Sequence, residues 1–320
     1  MWAGTLGKGL LQRPYGSSNW TQHPTRHNLR SNRVLAVTLD DNRDLWLGTG
    51  DGAYRLSARD RSWTRVDPGD PRLGNEFFAI VIGPNGDRWL LSDNGVMRSA
   101  ADGTTSRTYV REDGYPLDSV RGMVFDRSGA AWFATPSGVA RLSADGGTWT
   151  LYSEADGLVD DFVTSIVMDA NGALWFAALN GVSRLSPDQT TWTTYTEADG
   201  LARNLVSRIL LESDGSLWFA TRGGGVSHLS ADQTTWTSYS STDGLVDNDV
   251  TSVAVDDLGN RWFGTLGGVS RLSADGRSWS TYTAADGLAS NQVSAITTEA
   301  DGTVWIGTSS GLSRLGFTSR

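Results

Sequence analysis

His23, His27 and His228 are the only imidazoles in a chain of 320 residues that contains no cysteine. General acid or base catalysis needs a titrating group within hydrogen-bond reach of the substrate, and these three fall at unrelated points of the sequence. With no thiol, a cysteine nucleophile and cysteine-ligated zinc are both excluded. The polar residues that do recur at regular spacing are Asn32, Asn75, Asp118, Asp161, Asn204, Asn248 and Asn291, each standing just before a short apolar run. Seven short carbonyl-bearing side chains at one level form a collar suited to sugar hydroxyls or a divalent cation. The competing reading is that each closes its own loop as an Asx-type turn. Residues beside them vary from unit to unit, as Arg33, Glu76, Phe162, Asp249 and Gln292, and of these Glu76 and Asp249 add carboxylates. Arg208 is the sharpest irregularity, because the equivalent residues Ala36, Ala79, Gly122, Ser165, Ser252 and Ala295 are all small. A guanidinium there either projects into a central channel as an anion anchor or pairs with an acid, since burying it alone is costly.

That equivalence rests on an internal repeat. Tryptophans stand at Trp2, Trp46, Trp89, Trp132, Trp175, Trp218, Trp262 and Trp305, spaced by 43 or 44 residues in phrases such as LWLGT, AWFAT and VWIGT. A second series, Trp20, Trp63, Trp149, Trp192, Trp236 and Trp279, completes the tryptophan content of 14. A period of this length running from end to end predicts one domain over residues 1–320.

Each unit reads as four strands. LVSRILLE and FVTSIVMD are short apolar runs without clean alternation, which predicts an inner strand covered on both faces. A glycine-bearing tight turn leads to the LWFAT strand, a second turn leads to GVSRL, and TWTTYT mixes aromatics with threonine as a half-exposed outer strand would. The connector, EADGLVDD in one unit, is long enough to return from the outer edge of one sheet to the inner strand of the next. Repeated around an axis, such units build a β-propeller, an all-β ring of four-stranded antiparallel blades. Inner strands are expected near Val34, Phe77, Val120, Val163, Val206, Val250 and Val293. The N-terminal piece supplies second, third and fourth strands and the C-terminal piece first, second and third. Seven blades, one of them built from both termini with a redundant strand pair, is the favoured closure; eight blades with incomplete terminal ones is the alternative.

The succession DGL, asparagine, apolar strand, DxxGxLWFGT and GVSRL, complete in DGLVDNDVTSVAVDDLGNRWFGTLGGVSRLS from Asp243 to Ser273, resembles the two-component regulator propeller repeat. The resemblance implies a periplasmic or extracellular ligand-sensing ring of the kind placed before bacterial histidine kinases. More distantly it resembles streptogramin lyases, which use histidine, glutamate and magnesium, and for which this chain is short of histidine.

The net charge of −9, with a basic first segment holding Lys8, Arg13, Arg26, Arg30 and Arg33, excludes a nucleic-acid backbone as partner. No apolar run is long enough to insert in a membrane, and no signal peptide stands in the sequence. The regular series Arg55, Arg98, Arg141, Arg184, Arg271 and Arg314, with His228 in the fifth unit, reads as structural. The expectation is a non-catalytic sensor-type propeller without a cofactor, binding a small polar molecule or glycan at the connector face and a signalling protein. Arg208, the collar, Glu76 and Asp249 are the candidate binding residues, and a divalent cation in the channel is left open. A lyase or hydrolase on the same ring, and a protein-interaction scaffold, are the rival expectations.

Overall fold

The computed structural model describes residues 31–60 and 62–316, together with the strands Trp2–Thr5, Gly9–Gln12 and Thr21–His23. Seven antiparallel sheets stand in a ring, six of them ordered from inner to outer strand in chain order, which makes the molecule a seven-bladed β-propeller. The fourth blade shows the pattern, with strands Val163–Met168, Leu174–Ala178, Gly181–Leu185 and Trp192–Tyr195.

Local chemistry explains why each unit turns where it does. In blades one, three, four and six an aspartate ending the inner strand takes an indole N–H from the next strand, as Trp262 to Asp256 at 2.9 Å and Trp175 to Asp169 at 3.1 Å. The same carboxylate accepts main-chain N–H groups of its own turn, from Leu258 and Asn260 in the sixth blade. Burial presses the Asp256 carboxyl toward protonation, but the bonds from Trp262, Asn260 and the turn outweigh it and leave the pKa lowered. At the opposite end the threonine of LWFAT caps the next turn, Thr221 donating to the Gly225 carbonyl at 2.8 Å.

The core lies between blades. The second strands are buried apart from Arg88 and Arg261 at the start of two of them, and in blades two to five the tryptophan there packs on the phenylalanine of the following blade, as Trp132 on Phe176 and Trp218 on Phe263 at 6.2 and 5.5 Å between centroids. Phe176 in turn meets Trp192 of its own outer strand at 5.5 Å. The connector glycines seat those outer tryptophans. Gly200 holds φ at 123° and a Cβ there would lie 2.5 Å from the Trp236 ring, so only glycine meets both demands.

The inner strands differ from expectation in two ways. Buried and partly exposed residues are mixed along them because one face looks onto an open channel, so they are not covered on both sides. The third begins at Gly122 and not Val120, since the Val120 N–H is spent on the Ser92 carbonyl of the preceding blade.

Closure also departs in detail. Trp2–Thr5 does not act as a second strand; it pairs antiparallel with Gly311–Leu315 and takes the fourth place of the seventh blade, Trp2 opposite Arg314. The strands Gly9–Gln12 and Thr21–His23 extend that sheet to six. Both ends thus share one blade, because the outer edge of Gly311–Leu315 would otherwise present unpaired N–H and C=O groups. The redundant pair lies outermost.

Candidate functional site

An irregularity in strand pairing builds the channel. In six inner strands the register slips at the second residue, for example between Val163 and Ser165 and between Val206 and Arg208. A bulge leaves one residue unpaired and re-aims its side chain. The residues so placed, with Arg121 at the corresponding point of the third blade, are Leu35, Phe78, Arg121, Thr164, Ser207, Thr251 and Ser294, and all seven line a cavity of about 440 Å³. A second tier at its mouth comes from turn and pre-strand residues, including Arg33, Phe162, Leu179, Leu205, Arg222 and Leu266.

The bulge tier divides the ring into two arcs. In blades four to seven the hydroxyl bonds both its own second strand and the first residue of the next inner strand. Thr251 reaches the Gly264 and Val293 carbonyls at 3.0 and 2.7 Å, Ser207 reaches Val250 at 2.6 Å, Thr164 reaches Val206 at 2.7 Å, and Ser294 bonds Val34 across the ring closure. Blades one to three hold Leu35, Phe78 and Arg121 there, which cannot make that bridge and project freely.

Arg208 stands one step deeper. Its equivalents Ser165 and Ser252 accept the N–H of Ile209 and Ile296 in the following blade at 3.2 and 3.0 Å. Arg208 instead reaches toward the third blade, where Nη1 lies 3.4 Å from the Arg121 carbonyl, a long hydrogen bond. Protein atoms surround it closely while the channel keeps it in reach of solvent. Desolvation and then the Arg121 charge both press its pKa down. Arg121 lies over the Phe78 ring at 4.4 Å and its Nε is buried without a partner; burial lowers its pKa, Glu76 opposes the shift and Arg33 adds to it. Arg33 is paired with Glu76 at 2.8 Å. Among the described residues neither Arg121, Arg208 nor Arg222 has a salt bridge to an acid, and the cavity lining holds four arginines and no carboxylate. In a chain of net charge −9 the channel is therefore a local cationic site.

The collar residues do not line this cavity. Asp161, Asn204, Asn248 and Asn291 accept the N–H of Glu154, Glu197, Ser241 and Ala284 at 2.6 to 2.7 Å, each closing its connector from seven residues away. Asp118 accepts from the Ser137 hydroxyl at 3.0 Å, Asn75 gives its carbonyl to Gly52, and Asn32 and Asp249 also stand outside the cavity lining. Four of the seven thus bond their own connector backbone, as the competing reading expected, though seven residues back and not in an Asx turn, and of the expected binding residues only Arg208 faces the channel, with Glu76 beside it through Arg33. Arg121, Arg222 and the bulge tier were missed. Their signal is the residue two after each collar neighbour, hydroxylic in four units and large or charged in three.

The remaining repeat polar groups are structural. Arg98, Arg141, Arg184, Arg271 and Arg314 lie over their tryptophans at 5.4 to 5.6 Å, and Arg55 over Trp46 at 5.9 Å. His228 takes this place against Trp218 at 4.5 Å. There Glu212 is diverted to Arg261 at 2.6 and 2.7 Å, and the Trp218 indole N–H is left unbonded. His23 ends a strand of the shared blade, and His27 lies outside the described residues.

Comparison with known proteins bears out the repeat resemblance. Residues 157–180 and 287–310 match the two component regulator propeller model, while no curated protein matches by sequence. Among solved structures, the extracellular domain of BT3049 from B. thetaiotaomicron, described as a hybrid two component system, superposes with a TM-score of 0.80 at 18% identity, over 98% of this chain and 50% of that one. The corresponding domain of BT4673 gives 0.54 at 20% identity, over 98% and 45%. Virginiamycin B lyase from Staphylococcus aureus gives 0.69 at 16% identity, over 90% and 96%. This chain thus spans about half the length of the two sensor domains. At these identities the likeness is one of fold.

Proposed function

We propose that this chain is a non-catalytic, sensor-type propeller whose axial cavity binds a small polar anion, such as an acidic sugar or another carboxylate, at the connector face. The observation that carries the reading is the cavity lining, with four arginines and no acid. Two of them, Arg121 and Arg208, are partly desolvated without a salt bridge to an acid among the described residues. Desolvated like charges are costly, and an anion placed between them relieves that cost through charge-assisted hydrogen bonds. The volume of about 440 Å³ lies within the range of small-molecule sites, about 300 to 1,000 Å³. The same lining repels a divalent cation. Among the described residues no helix is long and apolar enough to cross a membrane. The sensor domains that share the fold are extracellular, which supports a periplasmic or extracellular setting and a signalling partner. A lyase reading lacks comparable support, since His228 packs on Trp218 away from the cavity.

A thermal-shift screen against small carboxylates, sulfate, neutral sugars and magnesium tests this directly, because a ligand that binds the folded state raises its melting temperature. Carboxylates are expected to give a saturable rise that Arg208→Gln abolishes. A rise with neutral sugars or magnesium alone would overturn the anion reading.

A further inference from the structure

The cavity mouth is not uniform around the ring. On blades four to six it carries Phe162, Leu179, Leu205 and Leu266, with Arg222 the one charged residue among them, and Leu205 and Leu266 remain 39% and 40% exposed. Among the described residues the exposed large hydrophobics are Leu151, Leu205, Leu258 and Leu266. Two of those four meet at one cavity mouth. The opposite arc, on blades seven and one, is polar, with Gln292, Ser309 and the Arg33 guanidinium already held by Glu76. Below the apolar arc, Thr164, Ser207 and Thr251 donate their hydroxyl protons to main-chain carbonyls, so those hydroxyls can accept from a ligand but have no proton left to donate to it.

We propose that the ligand is an amphipathic carboxylate, its acid group held between Arg121 and Arg208 and its hydrocarbon or aryl part laid on Phe162, Leu179, Leu205 and Leu266. The assignment rests on the anion reading above and narrows it. A carboxylate alone would leave the leucines in water. An acidic sugar would place hydroxyls against Phe162, Leu179, Leu205 and Leu266, which offer them no hydrogen bond. Hydrocarbon attached to the acid removes both penalties, since each buried methylene contributes about 0.8 kcal/mol, or about fourfold in affinity.

The test is isothermal titration of the purified chain with acetate, butanoate, hexanoate, 3-phenylpropanoate, D-glucuronate and hexanamide, competitively for the weak members. Affinity is expected to rise about threefold to fourfold per methylene from acetate to hexanoate, 3-phenylpropanoate to exceed glucuronate at least tenfold, and neutral hexanamide to bind weakly. Leu205→Ser and Leu266→Ser, at exposed positions that leave the fold intact, are expected to remove most of the hydrocarbon gain and leave acetate affinity unchanged. Glucuronate binding as tightly as 3-phenylpropanoate, or both leucine variants binding 3-phenylpropanoate as wild type does, would overturn the amphipathic assignment alone. Failure of every carboxylate to bind would overturn the anion site itself.

Discussion

Arg208 of the fifth blade reaches the main-chain carbonyl of Arg121 in the third, at 3.4 Å, and both arginines belong to a channel lining that holds no carboxylate. The ring tolerates this arrangement in the free protein at a cost in stability. The anion proposed above would offset that cost.

Arg208→Gln should therefore stabilise the free protein. It removes a desolvated charge and its repulsion with Arg121 while keeping an amide that can bond the Arg121 carbonyl. At about 2.1 cal/mol/K per residue, a gain of about 1 kcal/mol in a chain of this size raises the melting temperature by roughly 1.5 °C. A melting scan in low-salt buffer without carboxylates checks the sign. A clear fall would mean that Arg208 has a stabilising partner.

Gly200→Ala should destabilise strongly. The new Cβ meets Trp236 at 2.5 Å in a backbone held at φ 123°, combining overpacking with a left-handed strain and costing about 2 kcal/mol or more. Gly223→Ala isolates the strain alone, because its φ is 80° and a Cβ there meets nothing within 4 Å. The difference in melting temperature between the two measures the tryptophan contact.

His228 should make stability fall in mild acid. Desolvation lowers its pKa, partly opposed by Glu212 and Asp214 and assisted by Arg261. A histidine with a folded pKa below its unfolded value of about 6.5 contributes stability that is present above that pH and lost as pH falls through the folded value. Comparing urea unfolding of wild type and His228→Gln between pH 7.5 and 5 should show equal slopes above about 6.5 and a steeper loss for wild type below. Parallel curves throughout would contradict it.

Removing the first twelve residues should lower the melting temperature by several degrees, because it takes away Trp2–Thr5, the fourth strand of the shared blade, and Gly9–Gln12 beyond it. An unchanged temperature would mean that the ring closes through Gly311–Leu315 without them.

The repeat made the ring readable. Tryptophan spacing located the second strands, the glycine-bearing turns separated them, and the count of inner strands pointed to seven blades. The N-terminal strand was misplaced because WAGT repeats the second-strand phrase, whereas its position follows from the open edge of Gly311–Leu315, a tertiary demand that outweighs the local pattern. Arg208 was legible as a large residue among small ones. Arg121 was not, because strand pairing decides which residue of an inner strand is aimed into the channel, and Arg222 and the leucines at the mouth were not, because they stand on turns and connectors that only the closed ring brings together. Nothing in the alternation of the strand announces that pairing. The collar was legible as a series but ambiguous in role. One short polar side chain serves equally to bind a ligand and to bond its own loop, and at Asp161, Asn204, Asn248 and Asn291 the loop N–H stands within 2.7 Å.

The central claim is that the channel arginines hold an anion, and isothermal titration of 3-phenylpropanoate and D-glucuronate into wild type, Arg208→Gln and Arg184→Gln tests it most directly. Arg184 lies over Trp175 and does not line the cavity, so it controls for a general loss of positive charge. A charge-assisted hydrogen bond contributes about 1.5 to 3 kcal/mol, so Arg208→Gln should weaken the tighter carboxylate by roughly ten- to a hundredfold while Arg184→Gln leaves it unchanged. Equal affinity for wild type and Arg208→Gln would contradict the claim.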